Sequence, residues 1–142
     1  MIILDTNVIS EAMRGDNADA HVLAWLRALP VPPVTTVITR AEILAGLALL
    51  PPGRRTRDLA HRAGLALSAL GVCLPLTDPC TSAYADIVAT RTRLGRPIGG
   101  LDALIAAIAR TEGATLATRD TSGFDGIGVD LVNPWNAGPS AP

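Results

Sequence analysis

The chain has 142 residues, 49% of them hydrophobic and 18% charged, with a net charge of −1. A chain of that length and composition forms one domain and buries about two thirds of its unfolded surface, which excludes a disordered tail and any need for a disulfide or zinc staple. Its cations are 12 arginines with no lysine, which excludes Schiff-base, P-loop and phosphoaspartate mechanisms built on lysine, and the near-zero charge argues against simple basic-patch binding of nucleic acid.

The apolar run Ile2 to Leu4 predicts a buried strand that meets an acid at once. A short helix is expected over Val8 to Met13, broken near Gly15. Val22, Trp25, Leu26 and Leu29 repeat as one apolar helix face, stopped by Pro30, Pro32 and Pro33. Val34 to Val37 reads as a second strand. Thr39-Arg40-Ala41-Glu42 has the form of a capping box opening a helix to about Leu50, before the turn Pro51-Pro52-Gly53.

Arg54 to Leu70 predicts a helix closed by Gly71, and Val72 to Leu74 a short strand. Asp78-Pro79 reads as an N-cap and first-turn proline, opening a helix with Ala83, Tyr84, Ile87, Val88 and Leu94 on one side and Gly95 as its left-handed terminator. Leu101 to Glu112 is the most apolar helix, closed by Gly113. Thr115 to Thr118 and Val129 to Val132 complete the strands. A domain over residues 1–135 is expected, with 136–142 as a flexible, Pro/Gly/Ser/Ala-rich tail. Strands alternating with helices predict a three-layer α/β/α sandwich around a parallel sheet.

The remaining signals are weak. Cys73 and Cys80 have no metal-ligand spacing, and His21 and His61 sit in helices without an acid or nucleophile pattern around them. No signal peptide and no apolar run of about 18 residues is present, so a cytoplasmic chain without membrane attachment is expected.

In open parallel sheets, ligands bind beyond the carboxyl ends of the strands. Asp5 and Asp120 follow strands, and Glu42 and Asp102 open helices, so one sheet edge can gather all four. Each has a purely structural alternative. Glu42 is the partner of Thr39 in the capping box, Asp102 complements a helix dipole, and Asp120 is a turn residue. Asp5 is costly after three apolar residues unless it caps a helix or binds something. Two carboxylates about 4 Å apart repel by roughly 4 kcal/mol at an effective dielectric near 20, so such a cluster calls for a cation. All-oxygen ligands select Mg²⁺ or Mn²⁺, which suits hydrolysis of phosphodiesters by activated water.

Leu4-Asp5-Thr6-Asn7-Val8-Ile9-Ser10-Glu11, Arg40-Ala41-Glu42-Ile43-Leu44-Ala45-Gly46, Leu101-Asp102-Ala103-Leu104-Ile105-Ala106-Ala107 and Ala117-Thr118-Arg119-Asp120 resemble, in order and spacing, the motifs of PIN-domain ribonucleases. The closest likeness is to the VapC toxins of the FitB-like group, supported by Gly95-Arg96-Pro97-Ile98 and Leu131-Val132-Asn133-Pro134-Trp135. The resemblance implies a type II toxin, a Mg²⁺- or Mn²⁺-dependent endoribonuclease acting on RNA. It also implies a homodimer, and a cognate antitoxin with a DNA-binding N-terminal domain and a C-terminal segment over the active site. Asp5, Glu42, Asp102 and Asp120 match the family's catalytic, metal-binding positions, with Thr6, Asn7 and Thr118 in support. Arg40 and Arg119 flank them as contacts for RNA or antitoxin. The family often has a further acid where this chain has Gly123, and Asp125 is left outside the site.

Two rivals compete with this reading. A haloacid-dehalogenase-like phosphatase also begins with a strand and an Asp, but it needs a second Asp where Asn7 stands, and a lysine. A PIN-like RNA- or protein-binding module without catalysis is the other, and the four acids argue against it. The expected reaction is in-line attack by water that leaves 5′-phosphate and 3′-hydroxyl ends. A mean hydropathy of +0.35 fits a chain whose apolar surface is hidden by a second copy and an antitoxin.

Overall fold

The computed structural model describes residues 1–138, so 139–142 of the expected tail lie outside it. Within that tail, the Asn136 and Ala137 amides bond to Asn133 O at 3.1 and 2.8 Å. The described strands are β1 (Ile2–Leu4), β2 (Thr35–Thr36), β3 (Cys73–Leu74), β4 (Thr115–Ala117) and β5 (Asp130–Val132). The helices are α1 (Thr6–Ala12), α2 (Ala20–Arg27), α3 (Val37–Ala48), α4 (Arg54–Ser68), α5 (Asp78–Arg93) and α6 (Gly100–Glu112), with single 3₁₀ turns at Gly15–Asn17 and Ser122–Phe124.

All pairings are parallel. β1 pairs with β4 and β4 with β5, while β2 pairs with β3. The two pieces meet through one bridge, Ile3 to Val34, with Leu4 N–H donating to Val34 O and Val34 N–H to Ile2 O, both at 2.9 Å. The strand order is therefore β3-β2-β1-β4-β5, and the direction of winding reverses at β1. Side chains alternate across this sheet. Ile3, Leu116, Val34 and Leu74 pack with α5 and α6 on one face. Leu4 and Ala117 pack with Val8, Ile9, Val22, Trp25, Ile43 and Ala63 on the other. That arrangement is the expected three-layer sandwich. α6 is apolar nearly all round, and Ile105 to Ala109 are completely buried. Gly113 ends it at φ 63, with Ala114 N–H returning to Ala109 O at 2.9 Å.

Three local expectations change. α1 starts at Thr6 rather than Val8, because Asp5 caps it. Thr36, not Thr39, caps α3, so the strand ends early and Val37 and Ile38 turn helical despite their β-branched side chains. Thr77 rather than Asp78 precedes α5, placing Asp78 in the first turn. Leu94, the residue that caps α5, is 53% exposed, and Arg91 on α5, 4% exposed, takes the inward position. Its Nη1 donates to Ser122 O and Asp125 O, both at 3.1 Å, and so clamps the turn that follows β4.

Candidate functional site

β1 and β4 are adjacent strands at the point where winding reverses, the place where α/β sheets open a crevice. Asp5 leaves β1 with extended backbone, and its carboxylate caps α1 through Thr6 N–H at 2.8 Å. Its other oxygen accepts from Thr118 Oγ1 at 2.8 Å and from Asn7 Nδ2 at 3.2 Å. Burial pushes the Asp5 carboxyl above its ordinary range, the Thr118 and Thr6 hydrogen bonds oppose this, and the Asp120 charge adds to it.

Thr118 is the hub of this junction. Fully buried, its Oγ1 donates to Asp5 and accepts from Asn7 Nδ2 at 3.2 Å and Asp120 N–H at 3.1 Å. Asn7 Oδ1 in turn accepts the Arg119 N–H at 3.1 Å. The start of α1 and the exit of β4 are thus stitched together by side chains, which holds Asp5 and Asp120 at one edge.

Glu42 loses its local explanation. With Thr36 Oγ1 accepting from Thr39 N–H at 3.1 Å, the capping box does not form, and Glu42 lies in the second turn of α3. Its carboxylate instead accepts from Thr6 Oγ1 at 3.0 Å, across to α1. Asp102, in the first turn of α6, is half-buried and faces the same space. Its carboxyl is pushed up to about 6, first by burial and then by the charges of Asp5, Glu42 and Asp120.

Asp5, Thr6, Asn7, Glu42, Asp102, Arg119 and Asp120 line one open pocket of about 480 Å³, together with Ser10, Glu11, Arg14, Phe124 and Trp135. Arg40 is exposed on α3 and does not line it. Asp125 also stays outside, with its carboxylate 3.9 Å from Arg96. Glu11 is a fifth carboxylate at the rim. It is spent locally, accepting Asp19 N–H at 2.8 Å and pairing with Arg14 at 3.2 Å.

Two features escaped the sequence reading. Arg91 secures the turn below Asp120, and its register with Tyr84, Ile87 and Val88 was the available signal. Trp135 reaches the pocket from beyond β5, and no local pattern announces that.

Among the described residues, no three acid, imidazole or thiol side chains converge into a ready-made cation cage. Repulsion explains the open arrangement: Glu42 leans on Thr6, and Asp120 folds back onto its own turn. Asp120 Oδ1 accepts from Gly123 N–H at 3.1 Å and Ser122 Oγ at 3.3 Å. A Cβ on Gly123 would lie 2.7 Å from Asp120 Cγ, so a side chain there displaces the carboxylate. Gly123→Ala is expected to lose this cap at a cost of about 1 kcal/mol, read as a lower urea midpoint. An unchanged midpoint would mean that Asp120 does not hold the turn.

The raised Asp102 carboxyl gives a signed pH effect. Its folded value, about 6, lies above the ordinary 3.8, so its contribution favours the fold below that ordinary value and is lost as pH rises through about 6. In chelator, the stability of Asp102→Asn relative to the unaltered chain is therefore expected to climb between pH 4 and pH 7. A pH-independent difference in thermal midpoints would contradict the crowding of charge around Asp102.

The family profile described as PIN domain matches residues 2–129. VapC ribonuclease Y4jK of Sinorhizobium fredii is 43% identical over 138 residues, 95% of this chain and 98% of the relative. Toxin FitB of Neisseria gonorrhoeae is 39% identical over 139 residues, 96% of this chain and 99% of the relative. A chain in the structure of FitAB bound to an IR36 DNA fragment superposes with a TM-score of 0.86 at 39% identity, covering 97% of this chain and 98% of that one.

Proposed function

The chain belongs to the PIN-domain family, and from that premise we propose that it is the toxin of a type II toxin–antitoxin pair, an endoribonuclease that uses Mg²⁺ or Mn²⁺. The observation that carries this reading is the set of four carboxylates, Asp5, Glu42, Asp102 and Asp120, from four separate junctions around one pocket. Relatives named VapC ribonuclease and Toxin FitB, at 43% and 39% identity over nearly the full chain, support it.

The donor set fits a hard divalent cation. It is all oxygen and carries unbalanced negative charge, which shows in the Asp102 carboxyl pushed to about 6. Asp5, Glu42, Asp102 and Asp120 are the residues that would hold the cation. The chemistry such a cation supplies is stabilisation of phosphate charge and a lowered pKa for the attacking water.

The chain's own residues do the rest. Thr118, Asn7 and the Thr6 amide fix Asp5 in direction, and the Thr118 and Thr6 bonds oppose the upward push of burial on its carboxyl. Thr6 Oγ1 orients Glu42. No histidine is among the described residues that line the pocket, so no histidine acid–base pair serves the 2′-hydroxyl there.

Partners follow from the same reading. A cognate antitoxin with its own DNA-binding part silences the toxin, in keeping with the DNA-bound FitAB structure. An apolar groove of about 600 Å³ between α1, α2 and α4, lined by Ile9, Met13, Leu26, Leu65 and Leu70, offers it a large surface. Val37 and Leu44, exposed on the same face of α3, supply apolar area for a homodimer. No helix among the described residues is long and apolar enough to cross a membrane.

The test is the chemistry of the ends. Incubation of the purified protein with single-stranded RNA and Mg²⁺ or Mn²⁺ is expected to leave 5′-phosphate and 3′-hydroxyl termini. Products with 2′,3′-cyclic phosphate would refute water as the nucleophile. RNA binding without cleavage under any cation would leave the non-catalytic module.

A further inference from the structure

Arg119 sits at the rim of a pocket lined by carboxylates and pairs with none of them. Among the described residues its guanidinium takes part in no ion pair and donates to no protein acceptor, while Arg14, Arg96 and Arg110 all find acids. Arg119 lines the same pocket as Asp5, Asp102 and Asp120, where a cation is ordinarily drawn onto a carboxylate. Here it lies instead over the Trp135 ring, 4.9 Å from the centroid.

Both partners are anchored to the site. The Arg119 N–H is held by Asn7, which also donates to Asp5. The Trp135 N–H donates to Asn133 Oδ1 at 3.0 Å, and the ring packs against the α1–α4 core. The contact with the ring holds the guanidinium against Trp135 and leaves its N–H fork unspent at the pocket. A planar fork held in advance grips phosphate oxygens in pairs with little further loss of freedom.

We propose that Trp135 positions Arg119 as a phosphate fork for single-stranded RNA, gripping a phosphate next to the one cleaved. The inference rests on the ribonuclease reading and adds a substrate contact and a positioning residue to it. Charge favours RNA over a protein segment at this point. A peptide entering a pocket lined by five carboxylates must bring cations, and Arg119 repels cations. An RNA backbone brings a second anion just where the arginine waits.

The test uses the full chain with an RNA oligonucleotide, following cleavage with Mg²⁺ and binding by fluorescence anisotropy in chelator. Arg119→Ala and Arg119→Lys are expected to raise KM about tenfold with kcat little changed. Arg119→Ala should also lower the salt slope of RNA binding by about one. Trp135→Ala should match Arg119→Ala and add nothing to it in the double variant, whereas Trp135→Phe, which keeps an aromatic face, should restore most of the KM. If Trp135→Ala does not fold, the Arg119→Lys and Trp135→Phe pair decides.

Cleavage with unchanged KM in the Arg119 variants would overturn the fork and leave the ribonuclease reading standing. An inactive chain that still loses RNA affinity in Arg119→Ala would do the reverse. Unchanged RNA kinetics with weakened inhibition by an antitoxin would assign Arg119 to the protein partner and overturn the proposal.

Discussion

An Asp5→Asn chain is expected to fold and to cleave RNA about 10³-fold more slowly, the loss that follows when several kcal/mol of charge stabilisation are removed from a transition state. Asp5 is the most confined of the four acids, 4% exposed and held by three donors, Thr6 N–H, Asn7 Nδ2 and Thr118 Oγ1. The amide removes the charge and replaces one accepting oxygen with a donor. It therefore confronts the donor groups of Thr118 and Asn7 and costs about 1–3 kcal/mol of stability as well. Initial rates on single-stranded RNA with saturating Mg²⁺, beside a circular-dichroism melt, separate the two effects. A folded Asp5→Asn protein within threefold of the unaltered rate would remove the acidic pocket from the chemistry.

Phe124→Ala is expected to cost about 3–5 kcal/mol, the usual result of emptying a buried aromatic position. Phe124 is 1% exposed, packs with the α5–α6 core and also forms part of the pocket lining. It ends the 3₁₀ turn Ser122–Phe124, whose Gly123 N–H donates to the Asp120 carboxylate and whose carbonyl at Ser122 accepts from Arg91 and Arg96. The ring is the key that seats this turn on the core. Its loss frees Asp120, so the cleavage rate should fall together with the urea midpoint. A stability loss below about 1 kcal/mol would show that Arg91 alone holds the turn.

The acids at the sheet edge were legible because strand-then-acid is a local pattern. Asp5 after Ile2 to Leu4 and Asp120 after the β4 run are readable from hydropathy alone. Glu42 was readable as a position but not as a partner. The capping-box pattern at Thr39 is a plausible local solution, and only the observed cap at Thr36 releases Glu42 to meet Thr6. Arg91 was obscured by a rule that holds on average: charged residues belong outside. Here backbone carbonyls from a distant turn make an inward arginine tolerable, so the apolar stripe of α5 shifted by three residues from Leu94 to Arg91.

The sequence by itself determined the alternating α/β plan, the membership of the PIN-domain family and the four carboxylates that the motifs place in order. Those are properties of periodicity, spacing and residue type, all written in neighbouring positions. Tertiary structure alone decided which groups those carboxylates meet. Thr118 tying Asp5 to Asp120, Glu42 crossing to α1 and Trp135 stacking on Arg119 join residues far apart in the chain. Such contacts depend on strand order and on the direction each side chain takes when its helix is capped, and neither is encoded within any single segment.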